Sequence, residues 1–298
     1  MPPRAVAAFF PGHVADGSFM QAGHDGIAAA CRAAGLPLSV TQAIPLGALA
    51  AAMARAAPEA GLVIAQGGQC DEAAGAVAPR FPATRFVVVQ GHAAGGNLYA
   101  YRAAQEQSAF LAGAAAALLL PDRAIGHISG IRPRPGLLAR AAFAAGIAHV
   151  APGRRLLSIF TGDQDDRALG AAAAERLADA GVGLVFTMLN AAQAAVVDVA
   201  RQRGMMLAGD GKDWVADRPD AFALAAVAES GEAGAAAVRD YADGARPDGK
   251  EVVFGLDSPG VVRLSCGVAV RDRLAALERE IVVGRIDVTA GGVVEELA

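Results

Sequence analysis

Short apolar, β-rich runs alternate with helical stretches along nearly all of this 298-residue chain, and that alternation most constrains its fold. Runs at residues 5–10, 38–42, 62–66, 86–90 and 97–101 are interleaved with Ala-rich amphipathic segments at 21–34, 46–56 and 71–78. Parallel strands need a crossover connection, so strands spaced by helices predict a parallel sheet covered on both faces. After a long helix at 105–120, strands at 124–128, 156–160, 182–187 and 205–209 alternate with helices at 136–149, 167–180 and 191–204. An apolar run at 221–228, a helix at 232–242, strands at 252–255 and 261–266 and a helix at 270–283 are too few for a third domain. They are expected to complete the two sheets already begun. The chain also exceeds the usual single-core size of roughly 50 to 250 residues. The reading is α/β, with two doubly wound parallel-sheet lobes around a cleft for one small polar molecule.

Bulk properties exclude several classes. With 54% hydrophobic and 19% charged residues, the chain has the apolar content to fold without staples. A net charge of −4 argues against nucleic acid, which requires Lys and Arg gathered on one face. The longest apolar runs, such as 114–120, fall short of the roughly 18 residues that suggest a membrane span. The first apolar stretch, 5–10, is shorter than the roughly 7 to 15 residues of a secretory signal core. The expectation is therefore a cytoplasmic protein, or a periplasmic or lipid-anchored one whose leader has been removed. Cys31, Cys70 and Cys266 form no C-x-x-C pair and read as reduced core thiols.

In open α/β sheets ligands sit beyond the carboxyl ends of the strands. Here those positions are the loops at 11–20, 66–70, 90–94, 129–135, 188–190 and 210–214. No phosphate loop, dinucleotide fingerprint, H-E-x-x-H or G-x-S-x-G pattern occurs, so neither a cofactor nor a metal is called for. Gly67-Gly68 allows close backbone approach or simply makes a turn. His92 is either a ligand hydrogen-bond partner or a solvated loop histidine. Asp163, Asp165 and Asp166 precede a helix and read as its caps. Arg132 and Arg134 lie at a helix start, where they suit an anion or a rigid solvated turn. In Asp16-Gly17-Ser18-Phe19-Met20-Gln21 the aromatic either stacks on a planar ligand or staples the following helix.

Taken together, the segments resemble the basic membrane protein (BMP) family of substrate-binding proteins, which includes purine-nucleoside-binding lipoproteins and a competence-regulator branch. Residues 105–113, Gln-Glu-Gln-Ser-Ala-Phe-Leu-Ala-Gly, running into Ala114 to Ala117, are similar to the family's entry to its second lobe. Ile125-Gly126-His127-Ile128-Ser129-Gly130, Ala142 to Gly146, Phe160 to Asp163 and Leu207 to Asp210 follow in matching order. The resemblance implies a type I periplasmic-binding-protein fold joined by a three-crossing hinge. Residues 1–103 plus 229–257 would form one lobe and 104–228 plus 258–298 the other. It also implies closure on ligand without chemistry, and Phe19 as the stacking aromatic.

This chain departs from the nucleoside pattern where the family carries an amide (here Met20) and an aspartate (here Phe10). Gln90 replaces an acidic residue, Lys212 falls near an expected aspartate and Asp257 near an expected lysine, so the last two are expected to pair by a charge swap across the cleft. The expected ligand set is Phe10, Phe19, Met20, Gln66, Gln90, His92, Asn190, Asp210, Lys212 and Asp257. The expected function is a solute receptor of an ABC importer, with an ABC permease as partner. The competing readings are a cytoplasmic ligand sensor, and an enzyme using Asp210 and His92 as acid and base.

Overall fold

The computed structural model describes residues 5–15, 17, 19–92, 95–247 and 249–297. In chain order the elements are β1 (Ala5–Phe9), α1 (Phe19–Ala33), β2 (Leu38–Thr41), α2 (Leu46–Ala56), β3 (Ala60–Gln66), α3 (Asp71–Val77), β4 (Arg85–Val89) and β5 (Leu98–Ala103). Next come α4 (Gln105–Leu119), β6 (Ala124–Ser129), α5 (Arg134–Val150), β7 (Arg155–Phe160), α6 (Arg167–Asp179), β8 (Val182–Met188), α7 (Gln193–Arg203), β9 (Met206–Gly211) and α8 (Trp214–Asp217). The last are β10 (Phe222–Ala228), α9 (Ser230–Ala242), β11 (Glu251–Phe254), β12 (Val262–Cys266), α10 (Val268–Val282) and β13 (Val293–Glu296). Two compact units result: Met1–Ala103 with Glu229–Phe254, and Ala104–Ala228 with Gly255–Ala298. The chain therefore passes between them after Ala103, Ala228 and Phe254. Residues 255–257, grouped with the first lobe in the sequence reading, cluster with the second unit.

The first unit has a six-stranded sheet in the order β11-β5-β4-β3-β1-β2, with every pair parallel. Side chains alternate across a strand, and both faces here are covered. Val6, Ala8, Ile64, Val87 and Val89 pack with α1 and α9 residues such as Ile27 and Val238. Ala7, Phe9, Val63, Ala65, Phe86 and Val88 pack with Leu49, Met53, Ala74 and Val77 of α2 and α3. This explains why the strands read as continuous apolar runs.

The second unit has seven strands in the order β12-β10-β9-β8-β6-β7-β13. Its ladders are parallel except β10–β12, an antiparallel edge that alternation of strand and helix does not reveal. β13, also unforeseen, pairs in parallel with β7. Ile128, Val185 and Leu207 face Leu177, Val196 and Ala200 of α6 and α7. On the other face Phe143 of α5 stacks on Phe186 of β8, with ring centroids 4.4 Å apart. α4 is buried along nearly its whole length, as its run of small residues requires. Gly113 and Gly146 let α4 and α5 touch backbone to backbone: a Cβ at either would stand 2.0 Å from a carbonyl oxygen of the other helix.

Local signals behave as their chemistry dictates. Of the three aspartates expected to cap α6 only Asp166 does, its Oδ1 accepting from Ala168 and Leu169 N–H; Asp163 Oδ1 accepts from Asp165 and Asp166 N–H in the preceding turn, and Asp165 Oδ1 accepts from Ala191 N–H after β8. Gly204 closes α7 in the left-handed conformation at φ 64°. No described helix is long and apolar enough to cross a membrane, and all three cysteines are buried and free.

Candidate functional site

In the first unit the carboxyl edge is built by the ends of β1, β3 and β4. Phe10, just past β1, is fully buried; its ring packs in the core against α1, 6.0 Å edge-on from His24. Met20 is also buried in that core and lies under Gly12. Neither presents a ligand-facing surface: they extend the core to the positions where the nucleoside pattern carries polar groups. Phe19, the first residue of α1, is half-buried against the same core. Asp16, Ser18, Ala93 and Ala94, which belong to two predicted ligand-facing loops, lie outside the described residues.

The two glutamines at strand ends turn inward. Gln66 is fully buried, and its Nε2 donates to the Phe19 carbonyl and to Ser230 Oγ, both at 3.2 Å. Its flat amide lies on α1 at Gly23, where a Cβ would come within 2.3 Å of Gln66 Cδ. Gln90 holds a left-handed φ of 58°, unusual for a residue with a Cβ. Its Oε1 accepts from Ala103 N–H at 2.7 Å and its Nε2 donates to Ala103 O at 3.2 Å. The amide thus serves as one more rung of the β4–β5 ladder, a structural task in place of the ligand contact expected of it. Gly67 at φ 103° makes the turn after β3.

His92 is fixed by its own backbone, which donates to Asp71 Oδ2 at 2.9 Å. Its Nδ1 stands 3.6 Å from Glu251 Oε1, which also takes a 2.6 Å bond from Arg102. The solvated-loop reading therefore does not hold.

In the second unit the edge is formed by the ends of β6, β8 and β9. Asp210 near the end of β9 accepts from Gln105 Nε2 of α4 at 2.8 Å through Oδ2. Its Oδ1 is shielded from water and has no hydrogen-bond partner among the described residues. Burial pushes this carboxyl up to about 7, against the lowering effect of the Gln105 and Gly211 N–H groups. Trp214 Nε1 donates to the Asp210 carbonyl at 2.9 Å, and its indole lies over Gly209, where a Cβ would be 2.2 Å from the ring. The indole also stacks on Phe222, centroids 4.9 Å apart. Asn190, after β8, is half-buried and takes part in the turn into α7 through its backbone.

The expected Lys212–Asp257 pair does not form. Both residues belong to the second unit. Lys212 Nζ donates to Asp217 Oδ2 at 2.7 Å and sits 4.1 Å over the Trp214 ring. Asp257 is exposed and its Oδ1 accepts from Gly255 N–H at 3.2 Å. Short-range partners satisfy each charge before a distant one can.

Arg132 is likewise occupied. Its fork donates to Glu296 of β13 at 3.0 and 2.7 Å, and its guanidinium lies 3.8 Å over Phe160. Arg140 of α5 joins Glu296 at 2.5 Å, and the two guanidiniums hold that carboxyl down at about 2. An anion at the start of α5 would meet a fork that is already filled. Gln105 as the partner of Asp210 carries no sequence signal, although both segments, the β9 loop and α4, are legible. Nothing local in sequence links positions 105 apart.

With this geometry in place, comparison with known proteins is informative. The family model described as ABC transporter substrate-binding protein, PnrA-like (Bmp), matches residues 4–290. Among solved structures, an ABC transporter solute-binding protein from Aeropyrum pernix K1 is similar at a TM-score of 0.79 and 20% identity, over 96% of this chain and 82% of that one. A transcriptional activator of the comK gene from Bacillus halodurans is similar at 0.78 and 13% identity, over 95% and 99%. An ABC transporter solute-binding protein from Conexibacter woesei is similar at 0.72 and 20% identity, over 95% and 97%. At these identities the structural likeness speaks to the fold, and the fold is the type I periplasmic-binding-protein one.

Proposed function

Because the chain belongs to the PnrA-like (Bmp) family of ABC-transporter substrate-binding proteins, we propose that it binds a small, partly planar polar solute and delivers it to an ABC permease. The observation that carries this reading is Asp210. Its Oδ1, at the carboxyl edge of the second sheet, is an acceptor withdrawn from water with no hydrogen-bond partner among the described residues. A buried acceptor without a partner costs roughly 1 to 3 kcal/mol, a cost that a ligand N–H or O–H removes on binding. In this reading Phe19, partly buried against the core of the first unit, is the aromatic that stacks on a base or a sugar face.

Phe10 and Met20 argue against strict copying of the nucleoside pattern, because two positions expected to read a base are apolar and buried. The ligand is accordingly nucleoside-like in size and planarity, with its specificity set elsewhere than at those positions. In this reading the protein binds without chemistry, and His92 and Asp210 each have partners within their own unit. As an importer's receptor it works outside the cytoplasmic membrane.

Native mass spectrometry of freshly purified protein tests the proposal. A retained mass in the range of a nucleoside or monosaccharide is the expected result. Absence of any adduct, together with no thermal shift across a panel of nucleosides and sugars, would overturn it. Turnover of any panel compound above blank would overturn binding without catalysis.

A further inference from the structure

The three places where the chain changes unit share a feature that nothing in the fold requires. Each is tied down by the side-chain amide of a glutamine. After β5 the chain leaves the first unit at Ala103, whose N–H and C=O are both bonded by Gln90. It returns at Glu229, and the next residue, Ser230, takes the Nε2 bond of Gln66. It leaves again after Phe254, and Leu256 N–H donates to Gln107 Oε1 of α4 at 2.8 Å. Gln66, Gln90 and Ser230 are buried, and Gln107 is half-buried.

The chemistry explains the choice of residue. A backbone that runs off the edge of a sheet leaves its ladder, and its N–H and C=O groups need other partners. A primary amide carries both a donor and an acceptor and no charge, so it can replace a peptide unit without the desolvation penalty of a carboxylate. At Gln90 the replacement is complete, since its backbone N–H bonds Tyr101 O while its side chain bonds both polar groups of Ala103. At the third crossing Gly255 leaves room for the clamp: a Cβ there would stand 2.7 Å from Gln107 Oε1.

We infer that Gln66, Gln90 and Gln107 are hinge-positioning residues. The first two bind their crossings to the first unit and the third binds its crossing to the second. Backbone rotation during ligand capture is thereby confined to the peptide groups next to residues 103, 228 and 254, where the clamps end. The inference rests on reading the protein as a two-lobed receptor, but its test uses ligand-free protein, so a wrong ligand assignment leaves the result untouched.

The experiment is residue-resolved amide hydrogen exchange on the wild type, Gln90→Leu and Gln107→Leu. Leucine keeps roughly the bulk and removes the bonds. Ala103 N–H in the first variant and Leu256 N–H in the second should exchange about tenfold faster, the scale of one lost hydrogen bond. Amides of β3 in the first variant and of β8 in the second should stay within about twofold of wild type. Gln107→Glu, which keeps the acceptor, should restore Leu256 protection. Unchanged protection at Ala103 and Leu256 would overturn the inference. So would a uniform loss across the whole unit, the signature of a merely structural role. If the Gln90 variant does not fold, the half-buried Gln107 pair decides the matter alone.

Discussion

The two units solve the same packing problem with different parts of the chain. In the second, α4 and α5 are neighbours in sequence, and they meet where Gly113 faces Phe143 O and Gly146 faces Phe110 O. In the first, α1 meets α9, a helix some two hundred residues later, where Gly26 faces Gly231 O and Gly231 faces Ala22 O. Close backbone contact is thus a property of the architecture, while its sequence distance is not. The units differ in charge chemistry too. The displaced carboxyls and imidazole of the second unit include His127, Asp210, Asp213, Asp220, Asp287 and Glu296. In the first unit the displaced groups include Cys31, Cys70, Tyr99 and Tyr101, where burial dominates for all but Tyr99, which Lys250 lowers.

The sharpest way to separate the units is Phe143→Ala, which empties the stack on Phe186 in a fully buried site. A loss of about 3–5 kcal/mol is expected by denaturant unfolding, with exchange protection falling in the second unit first. Gly26→Ala attacks the first unit instead. It places a methyl 2.1 Å from Gly231 O, and a loss of about 2–3 kcal/mol is expected. Equal loss of protection in both units for either variant would dissolve the comparison.

Two buried groups give the second unit a pH dependence of its own. His127 is fully buried, its Nδ1 sharing a hydrogen with Ser158 Oγ, and burial lowers it to about 3. The unfolded chain takes up this proton below about pH 6.5 and the folded chain does not. Its contribution therefore makes stability fall as pH drops from about 6.5 to 3. Asp210 works in the opposite sense: its raised value makes the folded state the better proton acceptor, so stability is lost as pH rises from about 4 through 7. His127→Leu should flatten the acid limb of a stability-versus-pH curve, and Asp210→Asn the limb approaching neutrality. No change in either limb would show that these groups are not the source.

The smallest effect is expected from Glu296→Gln. The pair with Arg132 is surface-exposed, where solvent and salt screen the attraction. The depressed Glu296 value places any contribution above the unfolded carboxyl range, to be lost as pH falls toward about 2. The measurement is the salt dependence of the wild-type-to-variant difference, which should shrink as ionic strength rises.

Most of the fold was legible because buried parallel strands carry their signal in consecutive residues, as in Val63-Ile64-Ala65 and Val87-Val88-Val89. β13 was not, since Val293-Val294-Glu295-Glu296 has no apolar run, and its docking depends on Arg132, Arg140 and Arg155. At the carboxyl edges of the sheets, the sequence located the strand ends but not the direction in which side chains turn. Gln66 and Gln90 stand at strand ends as expected, yet their amides answer demands set far along the chain, Gln66 at the Ser230 hydroxyl and the Phe19 carbonyl, Gln90 at the backbone of Ala103. Lys212 and Asp257 failed as a pair for the same reason: a partner within five residues outcompetes one chosen by family pattern.

The α1–α9 crossing has a consequence for how the protein is made. A nascent chain usually folds its N-terminal domain first, while the rest is still being synthesised. Here the first 103 residues leave the ribosome lacking both the helix that covers α1 and the strand β11 that closes the sheet beside β5. Those pieces arrive only after the whole of 104–228 has emerged. The second unit can thus assemble most of its sheet and its α4–α5 pair while the first waits with α1 and β5 uncovered. On the ribosome the later-encoded half is the one positioned to set early, and the opening segment of the chain is the one that needs protection.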